Sequence, residues 1–335
     1  MLTSKKSEGG DSWYLSDISP SDKPWDLHRA QSDEIQKLYD LCGGDGYARY
    51  AERIRECSEW LTYALKAKDD GELNLRLREA RFCRVRHCPV CQWRRQQMWR
   101  ARFFKALPQV QEKYPTARWV FLTLTVRNCE LTELRATLAK MNGAWGKLMK
   151  RKEFPALGFI KSVEVTRGVN GTAHPHFHCL MLMPAGYFSK GYIPQAEWGT
   201  LWQSCLKTDY TPMIRVQVVK PKKGILNATG DASKDAMAHA VCETLKYSVK
   251  PDDLLVDPEW LGELTKQLHK TRSISIGGCL KEFFSEDEPE DLINGDIEED
   301  EKSEDETFLL FEWSSQIKRY QKSIEKIARF RMFLN

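Results

Sequence analysis

The chain has 335 residues, 41% of them hydrophobic and 29% charged, enough for one large folded domain or two smaller ones. No apolar run approaches the roughly 20 residues that span a bilayer, and the opening MLTSKKSEGGDSW lacks the apolar centre of a secretion signal, so a cytoplasmic protein with no membrane partner is expected. The formal charge of +4 conceals a division: residues 285–306 hold 13 acidic groups and one lysine, a local −12, so the remainder carries +16 and suits a polyanionic partner.

Residues 1–30 are polar, with scattered Gly, Ser, Asp and Pro, and predict a flexible N-terminal arm. Apolar residues returning every three or four positions predict helices in DEIQKLYDLC and in GYARYAERIRECSEWLTYALKA. ELNLRLREARFC alternates, as a short hairpin would, and CQWRRQQMWRARFFKALPQVQEKYP reads as a basic helix stopped by proline. Residues 31–110 are thus expected to form a helical region around a group of cysteines.

Ten cysteines in a chain without an export signal favour metal ligation or burial over disulfides. RFCRVRHCPVCQWRRQQMWRAR sets Cys83, Cys88 and Cys91 in a C-x4-C-x2-C pattern, and a tight C-x2-C turn aims two thiolates at one Zn2+. A structural zinc takes four ligands; Cys57 is the expected fourth, with His87 and Cys42 as alternatives. The plainer reading is a set of reduced thiols in a small core, and a redox pair would want βαβ surroundings that are missing. Arg84, Arg86, Arg94 and Arg95 lie around these thiols with Trp93 among them. Arginine binds phosphate and aromatic rings stack on bases, so the block predicts a nucleic-acid surface, against the ordinary case of a solvated basic helix with its tryptophans in the core.

From Ala117 onward the pattern turns to strands, at ARWVFLTLTVRN, GFIKSVEVTRG, AHPHFHCLMLM and MIRVQVVKP, separated by amphipathic helices and one tight turn at GVNGTA. Residues 111–284 therefore predict an α+β domain, an antiparallel sheet of about five strands with helices packed on it. In AHPHFHCLMLM the strand period puts His174, His176 and His178 on one face. Glu164 on the preceding strand supplies a carboxylate, and His176, His178 and Glu164 make a mixed nitrogen and oxygen site for Mg2+ or Mn2+, with zinc not excluded. The same ligand set occurs at non-haem iron, and a histidine trio can equally be packing.

In VCETLKYSVKP, Glu243, Tyr247 and Lys250 stand at i, i+4 and i+7, one face of a helix. A tyrosine nucleophile needs a cation to polarise its phosphate; Lys250 can hold phosphate or phenolate, and Glu243 can activate water. Taken alone, such a face is usually salt-bridged surface. Residues 285–306 read as an acidic linker, or as a tail competing for the basic surface, and residues 307–335 as a C-terminal amphipathic helix.

FLTLTVRN (121–128), HFHCLM (176–181) and ETLKYSVK (243–250), in this order, resemble the three motifs of the HUH endonucleases, and Phe82 to Arg95 resembles the cysteine block of the replication initiators of small rolling-circle plasmids. The resemblance implies the HUH palm fold and a protein that binds its plasmid's double-strand origin and nicks one strand in a single-stranded loop. Tyr247 would hold the 5′ phosphate, the free 3′-OH would prime synthesis, and Glu243 would direct water at termination. His176 and His178 match the paired histidines, His174 is not required by the motif, Glu164 lies in the EVT of related initiators, and Cys57 matches an upstream cysteine. Arg127, in the first motif, joins the expected nucleic-acid contacts. A host helicase is an implied partner, and the oligomeric state stays open, a dimer at the origin included. The rivals are a transposase or relaxase on the same site and a zinc-stabilised DNA-binding regulator without catalysis.

Overall fold

A computed structural model describes residues 13–67, 73–219, 240–241, 244–245, 249–284, 290–293 and 307–323. The chain begins with α1 (Leu15–Ile18), α2 (Lys23–Leu41) and α3 (Asp45–Arg55), then a strand pair, β1 (Trp60–Ala67) and β2 (Leu73–Ala80), and α4 (Pro89–Lys113). Residues 13–30 are not the expected arm: Leu15 and Trp25 are buried, and Trp25 meets Trp93 edge-on at 4.9 Å. Two large apolar side chains with a partner to cover them outweigh the polar composition around them. Residues 1–12 lie outside the described residues.

The second predicted helix is likewise corrected. It stops at Arg55, the chain reverses through Ser58 at φ 49°, and WLTYALKA is a strand. Its partner comes from the far end of the chain: β1 pairs antiparallel with β8 (Thr307–Ser314), Leu61 opposite Phe311 and Tyr63 opposite Leu309. β8 turns into β9 (Arg319–Lys322) through Lys318 at φ 53°, completing a four-stranded sheet in the order β2-β1-β8-β9. Residues 307–323 are therefore a hairpin of the N-terminal unit, in place of the predicted C-terminal helix. Phe311 and Tyr320 are wholly buried, and the Tyr320 hydroxyl donates to the Ser58 carbonyl at 2.6 Å. Residues 324–335 lie outside the description.

The second sheet is the expected α+β body, five antiparallel strands in the order β6-β3-β5-β4-β7: β3 (Arg118–Thr125), β4 (Gly158–Arg167), β5 (Ala173–Met183), β6 (Ile214–Val218) and β7 (Ile274–Gly278). One face carries Val163, Phe177 and Met181 and is covered by α5 (Leu134–Leu148) and α6 (Gln195–Leu206) through Met141, Trp145, Trp198 and Trp202. On the opposite face Trp119, Ile160, Leu180 and Ile276 pack with Phe103, Ala106 and Val110 of α4 and with Ala240, Val241 and Leu245. Burial of each such large apolar side chain contributes about 1.5–3 kcal/mol. At the β7 edge, Gly277 makes room for the Phe159 ring; a Cβ there would stand 2.2 Å from it.

Among the described residues no helix is long and apolar enough to cross a membrane.

Candidate functional site

The pleat of β5 fixes the histidines. His176 lies opposite Thr125 of β3 and Glu164 of β4, and His178 opposite Thr123 and Ser162, so all these side chains share one sheet face. The rings of His174 and His176 are 4.3 Å apart and those of His176 and His178 are 6.0 Å apart and nearly parallel. The Glu164 carboxylate reaches diagonally across the strands to His178, Oε2 to Nε2 at 2.6 Å, with both residues buried. Thr123 Oγ1 lies 3.4 Å from the other nitrogen of that ring, Phe121 stacks on it at 5.7 Å, and Thr166 Oγ1 lies 3.1 Å from His176 Nε2. Neither Thr166 nor Phe121 was singled out in the sequence, although Thr166 sits two residues from Glu164, the spacing of a shared strand face, and Phe121 opens the FLTLTVRN motif. Burial lowers the basicity of His174.

Two imidazoles and a carboxylate on one face fit a divalent cation in donor chemistry. The ligand atoms of the four cysteines all lie within 4.8 Å of one another, and among the described residues no other group of three or more such ligands does. His176, His178 and Glu164 are thus adjacent on the sheet without being drawn into one cluster.

Glu243 and Tyr247 lie outside the described residues. Val241, before them, and Leu245, between them, join the apolar cluster of Ile160 and Leu180, on the histidine face. On their C-terminal side Lys250 is exposed, and its carbonyl accepts from the Asp253 N–H in α7 (Pro251–Leu254). The Asp253 carboxylate accepts from the Arg167 N–H at 3.3 Å, at the end of β4 where Arg167 pairs with Ala173. The next helix, α8 (Pro258–Leu268), starts from Asp257, which accepts from the Arg167 guanidinium at 2.6 Å.

Cys57, Cys83, Cys88 and Cys91 are all buried. The Sγ atoms of Cys57 and Cys91, of Cys83 and Cys91, and of Cys57 and Cys88 are each 3.6 Å apart, close to the about 3.8 Å edge of a tetrahedron of sulfurs around zinc at 2.3 Å. Backbone N–H groups of Cys83, Arg84 and Val85 donate to sulfurs of Cys57, Cys91 and Cys83 at 3.3–3.5 Å, and Arg84 takes φ 56° to turn the knuckle. Burial opposes ionisation of the Cys88 thiol, but S–H donation from its three neighbours outweighs it and holds that group well below its ordinary value; Cys57, Cys83 and Cys91 are pushed up. Four thiols so placed give up their protons together only to a cation, and the set fits Zn2+. The two alternatives are elsewhere: Cys42 donates to the Pro258 carbonyl, and the His87 ring is buried, with burial and then Arg86 pushing it down to about 3.

The arginines divide into two groups. Trp93 and Arg94 are buried in place of the exposed contact expected: Arg94 stands over the rings of Trp25 and Trp93 and donates to the Leu292 and Ile293 carbonyls at 2.7 Å. Arg86 donates to the carbonyls of Leu268 and Thr271 and to the Ser273 hydroxyl, joining the cysteine unit to the start of β7; burial lowers its guanidinium to about 10. A guanidinium bonded to several carbonyls, as in Arg86 and the buried Arg94, is a structural clamp. Arg84 and Arg127 are exposed, Arg127 stacked 3.9 Å from the Tyr210 ring, and Arg95 is partly so.

A family model described as "Replication protein" matches residues 74–321. "Protein rep" of Lentilactobacillus hilgardii is 34% identical over 301 residues, covering 84% of this chain and 90% of its own. "Protein rep" of Streptococcus pneumoniae serotype 2 is 34% identical over 270 residues, 78% of this chain and 79% of its own. A "Replication protein" of Staphylococcus aureus is 32% identical over 231 residues, 64% of this chain and 95% of its own. No solved structure matches.

Proposed function

The chain belongs to the replication protein family, and from that premise we propose that it starts rolling-circle replication of a plasmid by binding the double-strand origin and nicking one strand. The phenolic oxygen of Tyr247 forms a bond to phosphorus as the bond from phosphorus to the 3′ oxygen breaks. The proton lost by the phenol is matched by the one gained at the 3′-OH, which then primes synthesis. The tyrosyl phosphodiester conserves the energy of the bond it replaced and so permits rejoining. At termination Glu243 takes a proton from the attacking water, and Lys250 offsets phosphate charge.

The observation that carries this reading is the sheet face shared by His176, His178 and Glu164, on which Glu164 and His178 are buried and 2.6 Å apart. Bound there, Mg2+ or Mn2+ would draw electron density from the scissile phosphate. Thr123 and Phe121 orient the His178 ring, and a ring so held costs less reorganisation on binding. The flanks of residues 246–248 support the same reading, since Leu245 packs on the histidine face and Asp253 is tied to the end of β4. Zn2+ at Cys57, Cys83, Cys88 and Cys91 would be structural, and Arg84, Arg95 and Arg127 would meet phosphates. A host helicase and the cytoplasm are the partner and compartment of this activity.

The test is incubation with single-stranded origin oligonucleotides and Mn2+, then mass spectrometry. A DNA adduct on Tyr247, lost in Tyr247→Phe with binding retained, is expected. Binding without any adduct would leave a non-catalytic regulator.

A further inference from the structure

Residues 290–293 are the described part of the acidic stretch, and they lie on the cysteine block. The Glu290 carboxylate is 2.5 Å from Arg95 Nε and 3.7 Å from Arg84 Nε, and its carbonyl accepts from Arg84 at 3.4 Å. Leu292 is buried, and Arg94 holds the carbonyls of Leu292 and Ile293. These four residues of a stretch expected to be a solvated linker or a competing tail are therefore docked here, their backbone carbonyls held by Arg94 and Arg84 and the Glu290 carboxylate by Arg95 and Arg84.

Glu290 is part of the lining of a cleft of about 520 Å3, together with Arg53, Arg84, Arg86, Arg95, Trp99 and Lys270. The cleft continues to Ser162 and Ile274, which lie opposite each other at the sheet edge, Ser162 also pairing with His178. The cleft thus extends from the cysteine block to Ser162, the strand neighbour of His178, with Arg84, Arg95 and Lys270 along it and Trp99 as the tryptophan of its lining. Guanidinium groups take carboxylate and phosphate oxygens with the same fork, and an aromatic face is the sequence-tolerant seat of an unpaired base.

We propose that this cleft seats the single-stranded polynucleotide running to the histidine site, and that Glu290 holds one of its phosphate positions in the free chain. Nucleic acid then binds by displacing the docked acidic segment. The proposal rests on the nucleic-acid-binding reading above and adds to it the route and the resident competitor. Because the competitor is part of the same chain, it acts at a high effective concentration, and weakly bound DNA of any sequence is excluded first.

The experiment measures binding of a labelled 20-nucleotide single-stranded DNA by fluorescence anisotropy, at low salt and without Mg2+ or Mn2+. Glu290→Gln should tighten binding about two- to fivefold, the range of a part-exposed ion pair. Joint Arg84→Ala and Arg95→Ala should weaken it, and adding Glu290→Gln to that pair should restore nothing. In the unaltered chain, hydrogen exchange of the Leu292–Ile293 amides should speed up at DNA saturation, a readout that needs no variant to fold. Unchanged or weaker binding by Glu290→Gln, or unchanged exchange at saturation, overturns the proposal while leaving the wider reading standing. Failure of the unaltered chain to bind the DNA at all would refute that wider reading itself.

Discussion

Glu164 and His178 meet diagonally across two neighbouring strands, Oε2 to Nε2 at 2.6 Å, on the face that also carries His176. A carboxylate in that position can hold the imidazole or ligate the same cation, and removing such a partner typically costs about 10- to 100-fold in metal affinity or activity. Glu164→Gln is expected to shift the Mn2+ titration of nicking to higher concentration by that factor, with circular dichroism unchanged. A variant that nicks with the original Mn2+ dependence would remove Glu164 from the site.

The four sulfurs at tetrahedral spacing predict one zinc per chain by elemental analysis. Binding at such sites is itself folding free energy, so chelation should lower the thermal midpoint, and Cys57→Ser should lose the metal while Cys42→Ser keeps it. Zinc retained in Cys57→Ser would mean that another residue closes the tetrahedron.

Removing residues 307–335 should expose the β1 edge and uncover Trp25, which stands 6.2 Å from Tyr320. An unpaired strand edge recruits other chains, so size-exclusion chromatography should show aggregates. The milder Tyr320→Phe, which loses only the hydrogen bonds to Ser58, should cost about 1–2 kcal/mol in denaturant unfolding and leave the chain monodisperse relative to its parent.

Lys161 points away from the histidines, against the Phe177 ring at 3.8 Å and the Asn142 carbonyl oxygen at 2.9 Å. Burial lowers its ammonium to about 8, so between about pH 8 and 10.5 the unfolded chain binds the extra proton. Folding stability attributable to this group therefore rises with pH through that window, by at most about 1.4 kcal/mol per unit. The difference in unfolding free energy between the parent and Lys161→Met should shrink or reverse in the parent's favour from pH 7.5 to pH 10; a flat difference would place the ammonium in solvent.

The histidine face was legible because strand alternation is local: three residues at period two need no partner to be recognised. The cysteine block announced three ligands by spacing, whereas Cys57 lies 26 residues before Cys83, outside any local pattern; it was chosen over His87 and Cys42 as the upstream thiol, and the resemblance to an upstream cysteine of related chains strengthened that choice. What failed was structure made by distant pairing. WLTYALKA keeps helical spacing, and it is a strand because it is paired on both edges, with Leu73–Ala80 on one side and with the distant Thr307–Ser314 on the other. FLLFEWSSQIKRYQKS misled in the same way, since its apolar residues fit either period. Trp93 and Arg94 looked like a nucleic-acid surface because sequence records composition, and nothing in it shows that Trp25 arrives to cover them.

The pairing of β1 with β8 also sets a timetable for synthesis. All five strands of the histidine-bearing sheet have been synthesised by Gly278, while the sheet beside the cysteines must wait for residues 307–322 to reach strands made about 250 positions earlier. A prematurely terminated chain would thus carry a complete histidine-bearing sheet beside an unfinished, sticky partner. Proteases that clear such chains would keep truncated products from reaching DNA.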